Sequence, residues 1–154
     1  FLNRMLMETA QCEMPDYMPP SKDIEKILKD SKRIAIVGLS PKTSRDSNKV
    51  ARYLLEQGYD VIPVNPGQEQ ILERTCYKSL EDIPFAFDVA NLFINLTRVP
   101  PVVEQCIRIG VKTIWMQLGI VHNESASKAR EAGIEVVMNR CIMVEHRNMP
   151  TLNG

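Results

Sequence analysis

The chain has 154 residues, enough for one domain with a sizeable core, and its 44% hydrophobic and 25% charged residues fit a soluble globular protein rather than a disordered or fibrous one. Its 19 basic and 19 acidic side chains cancel, which argues against nucleic acid or an anionic membrane as partner and requires any anionic ligand to be held by a local cluster. No apolar run approaches the ~18 residues of a spanning helix, Phe1–Met7 is too short for a signal core, and the four cysteines form no CxxC pair, so a cytoplasmic chain with free thiols and no zinc site is expected.

Residues 1–20 read as an irregular arm, because Pro15, Pro19 and Pro20 break regular structure; Met14, Tyr17 and Met18 can pack on the domain surface. Ser21 reads as an N-cap for a short helix to about Lys29, with Ile24, Ile27 and Leu28 on one face. Arg33–Val37 is a buried strand ended by Gly38. Ser47–Gln57 is a helix with Val50, Tyr53 and Leu54 on its face and Gly58 as its stop. Tyr59–Val64 is a second strand, Ser79–Ile83 a helical turn and Asp88–Ile94 a third strand. Val99–Ile109 is a helix opened by Pro100 and Pro101 and closed by Gly110. Lys112–Met116 is a fourth strand, Glu124–Ala132 a helix, Ile134–Met138 a fifth strand, and Cys141–Arg147 a last helical segment.

Strand–helix alternation with near-continuous apolar strands means a parallel sheet covered on both faces. The expected fold is therefore α/β: a Rossmann-like, doubly wound parallel sheet of five strands in the order 3-2-1-4-5, with helices on both faces. Residues 21–150 form this domain, after the arm and before a tail at 151–154. Ligands bind such sheets at the carboxyl ends of the strands, here near a switch point between the first and fourth.

The loop after the first strand carries the strongest chemical signal. In VGLSPKTSRDSNKV, Gly38 permits a close turn, Ser40, Thr43, Ser44 and Ser47 offer hydroxyls, and Lys42 and Arg45 offer charge. The following helix begins near Asp46 or Ser47 with free N–H groups and a partial positive end, a seat for phosphate. The alternative is an ordinary polar loop that caps a helix. Of the dinucleotide fingerprint G-x-G-x-x-G only Gly38 is present, and no Walker A sequence follows. The second strand ends in Val64-Asn65-Pro66-Gly67, where an NAD-binding protein usually places an acid for the ribose; this counts against NAD, although a plain turn also explains the segment.

The segments IAIVGLSPKTSRDSNKVARYLLEQGYDVIPVNP, TIWMQLGI and EAGIEVVMNRCIMVEH together resemble the small stand-alone CoA-binding domain proteins, relatives of the CoA-binding domain of the succinyl-CoA synthetase α subunit and of ADP-forming acyl-CoA synthetases. The resemblance spans about residues 22–147. It implies a Rossmann-like fold with coenzyme A along the carboxyl edge. It implies that Gly38, Ser40, Lys42 and Arg45 hold the phosphates, with Pro41 and Ser47 in the same loop. Asn65 and Pro66 would shape the wall beside the nucleotide, and Gln117, Leu118 and Gly119 would line the path of the pantetheine arm. Family members often carry a basic residue just past the third strand; here Phe93 is followed by Ile94, Asn95, Leu96 and Thr97, and Arg98 is displaced, so Thr97 and Arg98 complete the candidate set at this edge.

Cys141 follows the fifth strand at the same edge, where Arg140 and a helix N-terminus would favour its thiolate and a mixed disulfide with the CoA thiol; a buried, packing cysteine is the alternative. His122 in its loop reads as a solvated polar residue, and His146 as structural. Arg140, Glu145 and His146 could form a catalytic set, but an ion pair from Glu145 to Arg140 or Arg147 explains them as well. Three functions follow. The first is a non-catalytic CoA-binding module, a carrier, sensor or partner subunit. The second is an enzyme, either an NAD(P)-linked oxidoreductase or an acyl-CoA-using transferase. The third is an interaction protein with an empty cleft. A protein partner or a homo-oligomer is compatible with each.

Overall fold

The computed structural model describes residues 13–150. The first helix, α1 (Ser21–Asp30), leads into β1 (Arg33–Val37), α2 (Asp46–Glu56) and β2 (Asp60–Val64). A small hairpin follows, β3 (Gln70–Ile71) and β4 (Arg74–Thr75), then a 3-10 turn at Leu80–Asp82 and β5 (Val89–Leu92). A second 3-10 turn at Leu96–Arg98 runs into α3 (Val99–Ile109), then β6 (Thr113–Met116), α4 (Asn123–Glu131), β7 (Glu135–Val137) and α5 (Ile142–Arg147). Among the described residues no helix is long and apolar enough to cross a membrane.

β2, β1, β5, β6 and β7 form one parallel sheet in that order. The five strands and the α/β class are as the sequence predicts, but the third main strand lies beside β1 and not beyond β2. In the order of the main strands the sheet reads 2-1-3-4-5, and the switch point falls between β1 and β5. The physical reason is in β2. Pro63 removes a ladder donor, which suits an edge strand and not an interior one. That outer edge is covered locally: Tyr77 N–H donates to the Pro63 carbonyl at 3.0 Å, Asn65 N–H to the Tyr77 carbonyl at 2.9 Å, and Arg74 Nε to the Val61 carbonyl at 2.6 Å. Arg74 also pairs with Asp60 at the start of β2. The hairpin escapes sequence reading because Leu72 and Glu73 make its turn at φ 55° and 61°, without the Asn-Gly signature of such turns.

The core has two halves. α1, α2 and α5 cover the face bearing Ile34, Ile36, Val89 and Trp115, all fully buried. α3 and α4 cover the face bearing Ala35, Leu92, Ile114 and Met116. Ser21 does not cap α1; it is the first helical residue after Pro20, whose carbonyl accepts the N–H groups of Asp23 and Ile24 at 2.9 and 3.1 Å. His122 likewise departs from its predicted solvated role: it is the N-cap of α4, its Nδ1 accepting the Ser125 N–H at 3.2 Å. Of the arm, residues 13–20 lie against the domain, with Met18 and Pro19 inward and Met14 and Tyr17 outward; residues 1–12, and the tail at 151–154, lie outside the described residues.

Candidate functional site

At the switch point β1 and β5 hand the chain to opposite faces of the sheet, and the parting loops leave a crevice at their carboxyl ends. Gly38 sets its floor. Its backbone has φ +86°, and a Cβ there would stand 2.2 Å from the Phe93 carbonyl oxygen, so only glycine fits beside β5. The crevice has a volume of about 780 Å³ and is lined from α2 by Lys49, from the end of β2 by Asn65 and Pro66, from the β5 loop by Phe93 and Arg98, and on the far side by Gln117, Leu118 and Cys141.

A smaller hollow of about 460 Å³ shares Gly38, Asp46 and Phe93 with it and is walled by Ser40, Ser44, Arg45 and Ser47. This is the loop singled out in the sequence. Ser40 N–H donates to Ser47 Oγ at 3.0 Å, and Lys42 N–H donates to Ser40 Oγ at 3.1 Å, so both hydroxyls are engaged in shaping the loop. Asn48 and Arg52 brace it from the helix. Asn48 Nδ2 donates to the Ser40 carbonyl at 2.9 Å, and Arg52 donates through Nη2 to the Thr43 carbonyl at 2.8 Å. Arg45 occupies the N-cap position of α2, and no side chain caps this helix. Arg45, Asp46 and Ser47 at its start line the hollow, which puts the positive end of its dipole at that wall. Lys42 and Arg45 are exposed and form no ion pair among the described residues, whereas Asp46 brings one carboxylate into the same wall.

The predicted residues divide in two. Gly38, Asn65, Pro66, Arg98, Gln117, Leu118 and Cys141 line the crevice, and Ser40, Arg45 and Ser47 line the hollow. Pro41, Lys42, Thr97 and Gly119 stand outside both linings, and Pro41, Lys42 and Thr97 are exposed. Asn65 is engaged at both ends of its amide: Nδ2 donates to the Leu39 carbonyl at 2.9 Å and Oδ1 accepts the Gly67 N–H at 2.8 Å, which fixes Pro66 as a wall. Asn91 escaped the sequence reading, although a polar residue inside an apolar strand is a legible signal. It is completely buried, and its Nδ2 donates to Gln117 Oε1 at 3.1 Å beneath the crevice. Lys49, Asp46 and Met143 also line the crevice, and only the fold identifies them.

The two histidines and the thiols are sorted by burial. His146 is buried and its Nδ1 lies 2.7 Å from the Tyr53 hydroxyl, a structural pairing. Glu145 pairs with Arg140 at 3.3 Å. Burial pushes the Cys106 thiol up to about 12 and raises that of Cys76. Cys141 is half-buried, in the crevice wall.

Comparison with known proteins agrees with this architecture. The chain is 36% identical to the uncharacterised protein YneT of Bacillus subtilis (strain 168) over 128 residues, covering 83% of this chain and 95% of that one. It is 30% identical to an ADP-forming acetate–CoA ligase of Methanocaldococcus jannaschii over 134 residues, which are 80% of this chain but 19% of the ligase. A solved hypothetical protein from Pyrococcus horikoshii OT3 superposes with a TM-score of 0.84 at 45% identity, covering 92% of this chain and 98% of that one. The CoA binding domain family matches residues 32–147, and the chain belongs to that family.

Proposed function

We propose that the protein binds coenzyme A along the carboxyl edge of its sheet and acts as a non-catalytic CoA-binding module. The observation that carries the proposal is the reach of the crevice: its lining extends from Asp46 at the uncapped N-terminus of α2 to Gln117, and it shares Gly38, Asp46 and Phe93 with the hollow. In this arrangement the phosphates lie at the hollow, held by Ser40, Arg45, Ser47 and the N–H groups of α2, with Lys42 at the rim. Asn65 and Pro66 form the wall beside the nucleotide, with Thr97 and Arg98 across from them. The pantetheine arm follows Gln117, Leu118 and Gly119 and ends near Cys141.

Membership of the CoA binding domain family supports coenzyme A over NAD(P). The end of β2 supports it too, since Asn65 there has its amide engaged and offers no carboxylate to a ribose. The structural engagement of His122 and His146 supports a binding role over a catalytic one, because neither is left as a base for Cys141.

Thermal unfolding with CoA, NAD, NADP and ATP at matched ionic strength tests the reading. A ligand at 100 times its Kd stabilises by ~2.7 kcal/mol, and each kcal/mol moves the midpoint of a domain this size by roughly 2–4 °C. A rise of several degrees with CoA, reduced when Lys42 and Arg45 are both changed to alanine, is expected. No rise with CoA overturns the reading, and a rise with NAD or NADP alone replaces it with the oxidoreductase alternative.

A further inference from the structure

The crevice does not end at Cys141. A groove of about 450 Å³ continues from it, sharing Leu118, Cys141 and Val144 with the crevice lining. Its remaining lining comes from the arm, through Met14, Pro15 and Met18, and from Asn139, Arg140 and Glu145 beside Cys141. The crevice thus adjoins the hollow at one end, through Gly38, Asp46 and Phe93, and the groove at the other, through Leu118, Cys141 and Val144.

The groove's apolar walls are held outward by specific structure. Leu118 is 68% exposed, on a turn closed by Ile120 N–H donating to the Gln117 carbonyl at 2.9 Å. Asn139 pins that turn, its Oδ1 accepting the Gly119 N–H at 2.8 Å. Met14 is 69% exposed, yet its backbone is fastened: Asn123 Nδ2 donates to the Met14 carbonyl and to Glu13 Oε1, each at 2.7 Å. Asn123 Oδ1 also accepts the Asp16 N–H at 2.8 Å. Folding alone does not call for large apolar side chains at fixed, solvent-facing positions, and contiguous ones beside a cleft mark a binding surface. Among the described residues the charges in the groove lining are Arg140 and Glu145, which pair with each other across 3.3 Å.

We propose that this groove receives the acyl group of a thioester ligand, and that the protein selects acyl-CoA carrying a neutral aliphatic chain over free CoA and over thioesters with a charged acyl end. The inference rests on the reading of the crevice as a CoA site. A ligand with its phosphates at the α2 end brings its sulfur towards Cys141 and directs whatever the sulfur carries past Leu118 and Val144 into the groove. An ionised acyl carboxylate would meet an arginine already paired with Glu145, in a channel whose other walls are apolar apart from Asn139.

Isothermal titration of the full chain with CoA, acetyl-CoA, butyryl-CoA, hexanoyl-CoA and succinyl-CoA decides the matter. A fully buried methylene tightens binding about fourfold. Hexanoyl-CoA is expected to bind at least ~10-fold more tightly than acetyl-CoA, and succinyl-CoA more weakly than butyryl-CoA, which has the same chain length. Met14→Glu, an exposed change outside the crevice lining, is expected to abolish the gain with chain length and leave the Kd of free CoA within about twofold. Binding of CoA with a flat thioester series, or a gain with chain length that survives Met14→Glu, overturns the acyl groove and leaves the CoA site standing. Absence of binding by CoA and by every thioester overturns the CoA site itself.

Discussion

Asn91 and Gln117 are joined beneath the crevice by a single buried hydrogen bond, and main-chain groups fix which way each amide faces. Asn91 Nδ2 donates to the Trp115 carbonyl at 3.2 Å as well as to Gln117 Oε1, so the nitrogen end of Asn91 is set by an acceptor that cannot donate. Gln117 Oε1 also accepts the Ile142 N–H at 3.4 Å. The oxygen of Gln117 is thus turned inward, and its Nε2 is left as the end available to the crevice that Gln117 lines. If CoA occupies the crevice as proposed, this Nε2 is the group that would donate to a carbonyl of the pantetheine amides. Asn91 Oδ1, by contrast, is buried with no hydrogen-bond partner among the described residues. Asn91→Leu removes that oxygen together with the two Nδ2 hydrogen bonds, so the two effects oppose and stability is expected to change by no more than ~1 kcal/mol, while CoA affinity falls about 3- to 10-fold. Paired unfolding and titration experiments check this; unchanged affinity with retained stability removes Asn91 as a positioning residue.

Gly38 and Gly58 separate strain from collision. Both have left-handed backbones, at φ +86° and +94°, but a Cβ at Gly38 meets the Phe93 carbonyl oxygen at 2.2 Å, whereas one at Gly58 meets nothing within 4 Å. Gly58→Ala is expected to cost ~1–2 kcal/mol from conformation alone. Gly38→Ala adds displacement of β5 and is expected to cost ~3 kcal/mol or more, with loss of ligand binding. Chemical denaturation of the two variants measures the difference, and equal losses would show that β1 and β5 tolerate separation.

His146 confers a pH dependence. Burial between Tyr53 and Tyr59, whose rings stand edge-on at 5.5 and 5.6 Å, holds its pKa below the ordinary 6.5. The unfolded chain then binds the proton more readily than the folded one. Its contribution is complete above pH 6.5 and is lost as the pH falls through the lower folded value. The thermal midpoint is expected to drop between pH 7 and pH 5, and His146→Gln to flatten that drop. Asp88 acts in a separate window: burial disfavours its charge, but the N–H groups of Arg33 and Lys32 donate to it and hold it below 3.8. Its loss therefore falls at more acid pH.

Among Cys76, Cys106 and Cys141, alkylation should be selective. The first two are buried with raised thiols, and only Cys141 faces the crevice. Iodoacetamide followed by peptide mapping is expected to modify Cys141 before Cys76 and Cys106, and CoA to slow that modification at least several-fold. Unprotected alkylation at saturating CoA would place the pantetheine end elsewhere.

The sequence by itself determined the five strands, their alternation with helices and the polar loop after β1, because each rests on local signals: apolar runs, glycine stops and helix-start residues. It also placed Gly38, Asn65 and Gln117 at one sheet edge, since parallel strands put all their carboxyl ends together. Tertiary structure alone decided the strand order, because pairing is a non-local choice; Pro63 held the clue that β2 is an edge, but the hairpin that covers it carries no turn signature. It also decided which crevice residues act in pairs. Asn91 and Gln117 lie 26 positions apart, and only the register of β5 against β6, with Asn91 opposite Trp115, brings their amides within hydrogen-bonding distance.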